Sequence, residues 1–238
     1  MSDKSERSPD VLVLCGGQGT RLRSVVADRP KALADIAGRP FLDILSEELS
    51  RNGLRRQVLC VGYGGAQIAA RYAGRAGADF KISLEDTPLG TGGAVAHAMP
   101  YVTSDPFMIV NGDSFCRVPY VDLLAAHAQR EALMTVVVTP ATGRTDVALI
   151  RMDRGGRILK FAERSEQGDS GESFVNAGIY VVQREVLALA PSSPAYSLEY
   201  ELIPAIVKTG RCYGYPVSGP LIDIGTPERY MSAQGGLQ

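Results

Sequence analysis

The chain has 238 residues, 45% apolar, 21% charged and 7% aromatic, which is enough to bury a full core and too apolar for a disordered or disulfide-stapled peptide. Its 25 Lys+Arg against 26 Asp+Glu give a formal charge of −1, without the basic footprint of a nucleic-acid or anionic-membrane binder. No run approaches the ~18 consecutive apolar residues of a membrane span, and residues 1–10 lack the apolar core of a secretion signal, so a cytoplasmic protein is expected.

Residues 1–9 are polar, end in Pro9 and read as a disordered leader, with one domain expected over residues 10–238. Val11 to Leu14, Val58 to Val61 and Phe107 to Val110 are short apolar runs closed by Gly or Asn-Gly, the pattern of buried parallel strands. Between them, Phe41, Ile44, Leu45 and Leu49 share one helical face, with Pro40 at the entrance and Gly53 past the exit. Val121, Leu124 and Ala128 predict a second such face after Pro119. Strand-helix alternation of this kind implies an open α/β sheet with right-handed crossovers.

Further on, Thr135 to Thr139 and Val147 to Met152 are β-branched runs. Asp153-Arg154-Gly155-Gly156 is a turn into Ile158 to Ala162, so the sheet is expected to become mixed. Phe174 to Val182 reads as another strand, Ser197 as the cap of a short helix that Pro204 interrupts or restarts, and Arg211 to Ile224 as strand text. Thr226-Pro227-Glu228 opens a last helix with a cap, Pro at the first position and an acid in the first turn. No repeat or linker divides the chain, and no appended module is expected after that helix.

Cys15, Cys60, Cys116 and Cys212 lack metal or dithiol spacing and read as reduced structural residues. His97 and His127 sit in Ala-rich helical text, which disfavours a Ser/His or Cys/His hydrolase. The chemistry-bearing text follows the first strand. In Leu14-Cys15-Gly16-Gly17-Gln18-Gly19-Thr20-Arg21-Leu22, three glycines in four positions can aim successive N–H groups into one concavity for phosphate oxygens. No Gly-Lys-Ser/Thr follows, and Leu22 stands where the dinucleotide fingerprint has its third Gly, so neither an ATPase loop nor a dehydrogenase is indicated. Lysine is scarce, five against twenty arginines, and Lys31 after Pro30 is one of few ammonium groups a triphosphate could use, beside Arg21.

Gly16 to Leu22, Arg29-Pro30-Lys31, Gly38-Arg39-Pro40 and Pro88-Leu89-Gly90-Thr91-Gly92-Gly93-Ala94 together resemble the signature of the sugar-1-phosphate nucleotidyltransferases. So do Asn111-Gly112-Asp113-Ser114, Phe161-Ala162-Glu163-Arg164, Asn176 to Tyr180 and Ile222 to Glu228. The text is most similar to the D-glycero-α-D-manno-heptose-1-phosphate guanylyltransferases, with mannose-1-phosphate guanylyltransferases and N-acetylmuramate-1-phosphate uridylyltransferases as near relatives.

The resemblance implies a single α/β domain with a Rossmann-like, mixed, mostly parallel sheet flanked by helices. It also implies a divalent metal, Mg²⁺, and the reaction NTP + sugar 1-phosphate → NDP-sugar + pyrophosphate, with GTP as donor, in polysaccharide assembly. Family members often pair, which implies a homodimer. Arg21, Lys31 and Asp113 are the implied catalytic residues, and Asp113 and Asp223 the metal carboxylates. Leu14, Gly16, Gly17, Gly19, Thr20, Glu85, Pro88, Gly90, Thr91 and Gly92 are assigned to the nucleotide. Glu85 is expected to read the N1–H and 2-amino edge of guanine, and Gly92 and Gly93, in a loop, to leave room for base or sugar.

Gly112, Glu163, Arg164, Asn176 and Gly178 are assigned to the sugar phosphate, with Gly178 letting the ring approach closely. The family writes Lys-Pro where this chain has Arg164-Ser165, so that phosphate contact is open. Asp86, Glu199 and Arg117 read as solvated or capping residues. The implied acceptor is D-glycero-α-D-manno-heptose 1-phosphate, and three alternatives stay open: a mannose-1-phosphate guanylyltransferase, the same chemistry with UTP or CTP and another sugar, and an inactive nucleotide-sugar-binding regulatory subunit, against which the intact set Arg21, Lys31, Asp113 and Asp223 argues.

Overall fold

The computed structural model describes residues 8–141, 149–163 and 173–235. In chain order the strands and helices are β1 (Val11–Leu14), β2 (Asp35–Ile36), β3 (Arg39–Pro40), α1 (Phe41–Arg51), β4 (Arg56–Val61), α2 (Gly65–Tyr72), β5 (Asp79–Leu84) and α3 (Gly90–Ala98). They continue with β6 (Phe107–Asn111), β7 (Ser114–Phe115), α4 (Tyr120–Gln129), β8 (Met134–Pro140), β9 (Leu149–Met152), β10 (Ile158–Glu163) and β11 (Phe174–Val182). After a π-helical turn at Leu198–Leu202 come α5 (Ile203–Lys208), β12 (Cys212–Pro216), β13 (Ile222–Asp223) and α6 (Pro227–Ala233).

Among the described residues nine strands form the main sheet, ordered β10-β9-β11-β6-β1-β4-β5, with β8 pairing β11 and β12. The β6-β1-β4-β5 end is parallel, whereas β11 runs antiparallel to β6, β8 and β9. Alternation along the strands feeds both faces. Val11, Val13, Met108 and Val110 join a layer with Phe41, Leu45 and Leu49 of α1 and Ile68 and Tyr72 of α2. Leu12, Phe107 and Ile109 join a layer with Val95 and Ala98 of α3 and Ile203 and Ile206 of α5. The reading of a mixed sheet between helix layers in one domain holds, and the hairpin at Asp153–Gly156 and the strand over Phe174–Val182 form as expected. Pro204 restarts the helix begun at Ser197, and Thr226 accepts from Arg229 N as the last cap.

The expected face of α4 is rotated. Tyr120, Leu123 and His127 are its buried residues, Val121 is 79% exposed and Ala128 is exposed. The segment's two competing apolar stripes are resolved by the pocket that receives His127. Gln183 presents its NH₂ to His127 Nε2 at 3.2 Å, so Nε2 accepts and Nδ1 donates to Thr135 Oγ1 at 2.9 Å. Burial, only partly offset by the charge of Asp105, holds the imidazole down at about 4. Because the unfolded chain takes the proton first, stability is untouched above pH 6.5 and is lost as pH falls from 6.5 toward 4. The loss attributable to His127 is about 3 kcal/mol, and urea unfolding of His127→Gln is expected to be flatter than wild type across that window.

The first residues also differ from the expected leader. Residues 1–7 lie outside the described residues, but Pro9 and Asp10 are buried. Asp10 Oδ1 pairs with Arg56, and Oδ2 accepts from Thr103 and Ser104, tying the start of β1 to the neighbouring strand ends. Asp43 in α1 is likewise a buried carboxylate. Burial raises its pKa, but donation from Arg71, Tyr72 and Arg75 outweighs this and holds it at about 2. Among the described residues no helix is long and apolar enough to cross a membrane.

Candidate active site

The carboxyl ends of β1, β4 and β6 open onto one edge of the sheet, where open α/β folds place their ligands. A cleft of about 520 Å³ lies there, walled by Leu14, Gly16 and Gly17 after β1, Gly62 and Tyr63 after β4, Glu85 and Pro88 after β5, Gly90 and Thr91 of α3, and Gly112 and Asp113 after β6. A second lobe of about 310 Å³ is lined by Arg21, Ser114, Phe161, Asn176, Glu199, Tyr200 and Asp223. Lys31, Asn111 and Asp113 line both lobes. At that junction Lys31 Nζ lies 2.5 Å from Asp113 Oδ2, with the lysine side chain 13% exposed.

The first lobe is shaped by missing side chains. A Cβ on Gly16 or Gly62 would come within 2.9 or 2.4 Å of Glu85 Oε1. Glu85 thus sits inside the wall, where burial raises its pKa and donation from Leu89 N at 3.4 Å only partly offsets the rise. Gly19, at φ +58, brings its Cα over the Lys31 stem, a Cβ there lying 3.1 Å from Lys31 Cβ. Leu22 is buried and donates to Gly19 O, which explains why a leucine replaces the third fingerprint glycine: it anchors the loop in the core.

The two aspartates, far apart in sequence, are joined by a two-stranded ribbon. Ser114 of β7 pairs with Asp223 of β13, and Ile224 N donates to Asp113 O. Asp113 Oδ1 accepts from Ser114 Oγ, while Asp223 Oδ1 accepts from Gly225 N and Oδ2 from Arg229 at 2.6 Å. Among the described residues no cluster of three or more His, Cys, Asp or Glu exists. The donors are hard oxygens, two carboxylates with the buried, unpartnered Asn111 Oδ1 nearby. Such a set fits a divalent cation that takes its other ligands from phosphates and water.

The sequence-predicted residues fall unevenly. Leu14, Gly16, Gly17, Glu85, Pro88, Gly90, Thr91, Gly112, Lys31 and Asp113 meet at the first lobe. Arg21 and Asn176, with Asp223, meet at the second; Arg21 is exposed on that lobe and does not line the first. Gly19 and Thr20 line neither. Gly90 to Gly93 form the first turn of α3, not a loop. The absence of side chains at Gly92 and Gly93 serves packing, not ligand clearance: a Cβ would lie 2.2 Å from the Tyr196 ring or 2.3 Å from Pro194 O. Gly178, at φ +74, lines neither lobe, and a Cβ there would come within 2.8 Å of Asn111 Nδ2, so its missing side chain makes room for Asn111. Glu163 closes β10, but its side chain and all of Arg164 lie outside the described residues.

Sequence reasoning missed Asn111, Tyr63, Tyr200 and the position of Glu199. Reading Glu199 as a cap obscured that Thr91 Oγ1 donates to it at 2.6 Å. No thiol is poised as a nucleophile, since burial pushes Cys60 and Cys212 up to about 12, Cys116 to about 11 and Cys15 also well upward.

A glycine turn, a half-buried lysine and two carboxylates thus meet in a cleft at the carboxyl edge of the sheet, an arrangement suited to anionic ligands. The nucleotidyl transferase family model matches residues 10–238, and the chain belongs to that family. It is 30% identical over 230 residues to the D-glycero-alpha-D-manno-heptose 1-phosphate guanylyltransferase of Aneurinibacillus thermoaerophilus, covering 96% of this chain and 98% of that protein. It is 31% identical over 232 residues to the mannose-1-phosphate guanylyltransferase of Mycobacterium tuberculosis, covering 96% of this chain but only 64% of that longer protein. The crystal structure of HddC from Yersinia pseudotuberculosis complexed with GMP-PN superposes with a TM-score of 0.84 at 28% identity, over 97% of this chain and all of that one.

Proposed function

We propose that this chain transfers GMP from GTP to a sugar 1-phosphate, D-glycero-α-D-manno-heptose 1-phosphate, releasing pyrophosphate, and that it works in the cytoplasm. The reading rests on one observation above all: two lobes of unequal size meet at the Lys31–Asp113 pair. Near end-to-end similarity to the heptose enzyme favours that sugar. Similarity to the longer mannose enzyme keeps mannose 1-phosphate as the second reading.

No general base is required. A sugar phosphate carries about 1.5 to 2 negative charges at neutral pH, so its oxygen attacks the α-phosphorus directly; a P–O bond forms there as the bond to pyrophosphate breaks. The protein holds two polyanions in line and neutralises the charge that develops between them. Backbone N–H groups around Gly16 and Gly17 receive phosphate oxygens, Lys31 places its ammonium at the junction of the lobes, and Arg21 meets the sugar phosphate from the second lobe. Asp113 and Asp223 would hold a Mg²⁺ ion, which when bound supplies positive charge to the phosphates.

Glu85 accepts from guanine in the first lobe, which requires the carboxylate. Affinity for GTP is therefore expected to fall as pH drops through its raised pKa, with the preference for GTP over UTP largely lost in Glu85→Gln; unchanged selectivity would remove Glu85 from base reading. Pyrophosphate release across GTP, ATP, CTP and UTP, each with a heptose, mannose or glucose 1-phosphate, tests the function as a whole. GTP with the heptose is expected to give the highest kcat/KM, and silence across the grid would overturn the reading.

A further inference from the structure

The first turn of α3 and the segment from Pro194 to Glu199 are packed more closely than side chains would allow. Cβ atoms at Gly90, Gly92 and Gly93 would all strike this segment, at 2.5, 2.2 and 2.3 Å. Gly92 N and Gly93 N donate to Tyr196 O, and Tyr196 N donates to Leu89 O. Two lobes that handle different substrates therefore share one wall. Thr91 belongs to the nucleotide side of that wall, and Glu199 and Tyr200 to the other.

The Thr91 hydroxyl is fully engaged within this wall. It accepts from Leu198 N at 2.8 Å and donates to Glu199 Oε2 at 2.6 Å. Ser197 Oγ also donates to Glu199 Oε2, at 3.2 Å. Both donors fall on the same oxygen, so Oε1 keeps its acceptor capacity. Glu199 is not needed to cap its own turn: Ser197 Oγ accepts from Tyr200 N, and Glu201 Oε2 accepts from Ser197 N at 2.7 Å. The turn is π-helical, closed by Leu202 N on Ser197 O, a wide geometry common at functional sites. It leaves Tyr200 72% exposed beside the same lobe.

We infer that Glu199 selects the acceptor sugar by accepting a ring hydroxyl in the second lobe, and that Thr91 is a positioning residue that holds it there from the nucleotide side. The inference rests on the function proposed above and adds to it the group that discriminates among sugars. A carboxylate partner gives strong discrimination because a substrate lacking the hydroxyl desolvates Oε1 without giving it a donor. Gln at the same place can still accept, but without charge.

The test uses the full chain with GTP and the sugar 1-phosphate that wild type turns over best, together with deoxy analogues of that sugar phosphate. Glu199→Gln is expected to raise the sugar 1-phosphate KM about tenfold and to shrink discrimination against one deoxy analogue, while the Kd for GTP measured by calorimetry moves much less. Thr91→Val is expected to raise the sugar KM severalfold, more than the Kd for GTP, and Thr91→Ser to restore it. Far-ultraviolet dichroism reports whether each variant is folded. If Glu199→Gln leaves sugar KM and deoxy discrimination at wild-type values, or shifts the Kd for GTP as much as the sugar KM, the inference is overturned and the proposed function stands. Wild type inactive on every pair overturns both.

Discussion

Asp113→Asn is expected to lower kcat by about 10³-fold or more while the protein stays folded, a loss of several kcal/mol of transition-state stabilisation. The amide keeps the side chain's shape, and the backbone contact from Ile224 N to Asp113 O does not depend on the carboxylate. What disappears is the negative charge at the junction of the two lobes, which pairs with Lys31 and would hold the cation. Pyrophosphate release under saturating substrates measures the loss, and urea unfolding shows whether the fold is intact. Turnover within tenfold of wild type would remove Asp113 from the chemistry.

The second large effect is expected at Lys31. Lys31→Met retains the stem that lies beneath Gly19 but removes the ammonium, and kcat is expected to fall about 10²- to 10³-fold, the scale for one preorganised transition-state donor. Lys31→Arg is not expected to rescue it. A guanidinium is wider than an ammonium, and the lysine head already lies 3.4 Å from where a Cβ on Gly225 would stand. A rise in KM for GTP with kcat preserved would instead assign Lys31 to ground-state binding.

Much of this architecture is legible in the amino-acid sequence because the central strands are short apolar runs with few competing readings. Val11 to Leu14 and Phe107 to Val110 can only be buried, and the text after each supplies the site. Legibility fails where one residue type serves two physical ends. The glycines at 90, 92 and 93 suggest an open loop, yet they allow a helix to pack against backbone. Val121 and Leu123 in α4 belong to rival stripes, and the polar partners that draw His127 inward, Thr135 and Gln183, are distant in sequence. β5 was hidden by its place at the sheet edge, where Asp79 and Lys81 are exposed.

The candidate site divides in the same way. Local motifs pointed to Lys31, Asp113 and Glu85, and all three line one cleft. Contacts between motifs were not legible: the Ser114–Asp223 pairing that brings the second aspartate in, and the Thr91–Glu199 bond that joins the lobes, each link residues more than a hundred positions apart. The motif also overstated the loop, since Gly19 backs Lys31 and accepts from Leu22 N, and neither it nor Thr20 lines either lobe.

In the proposed reaction the acceptor phosphate attacks the donor directly, with no covalent intermediate on the protein. Turnover of GTP carrying a chiral α-thiophosphate, followed by assignment of the configuration at phosphorus in the product, tests it most directly. A single in-line displacement predicts inversion. Retention would require two displacements and a protein nucleophile, and would contradict the account.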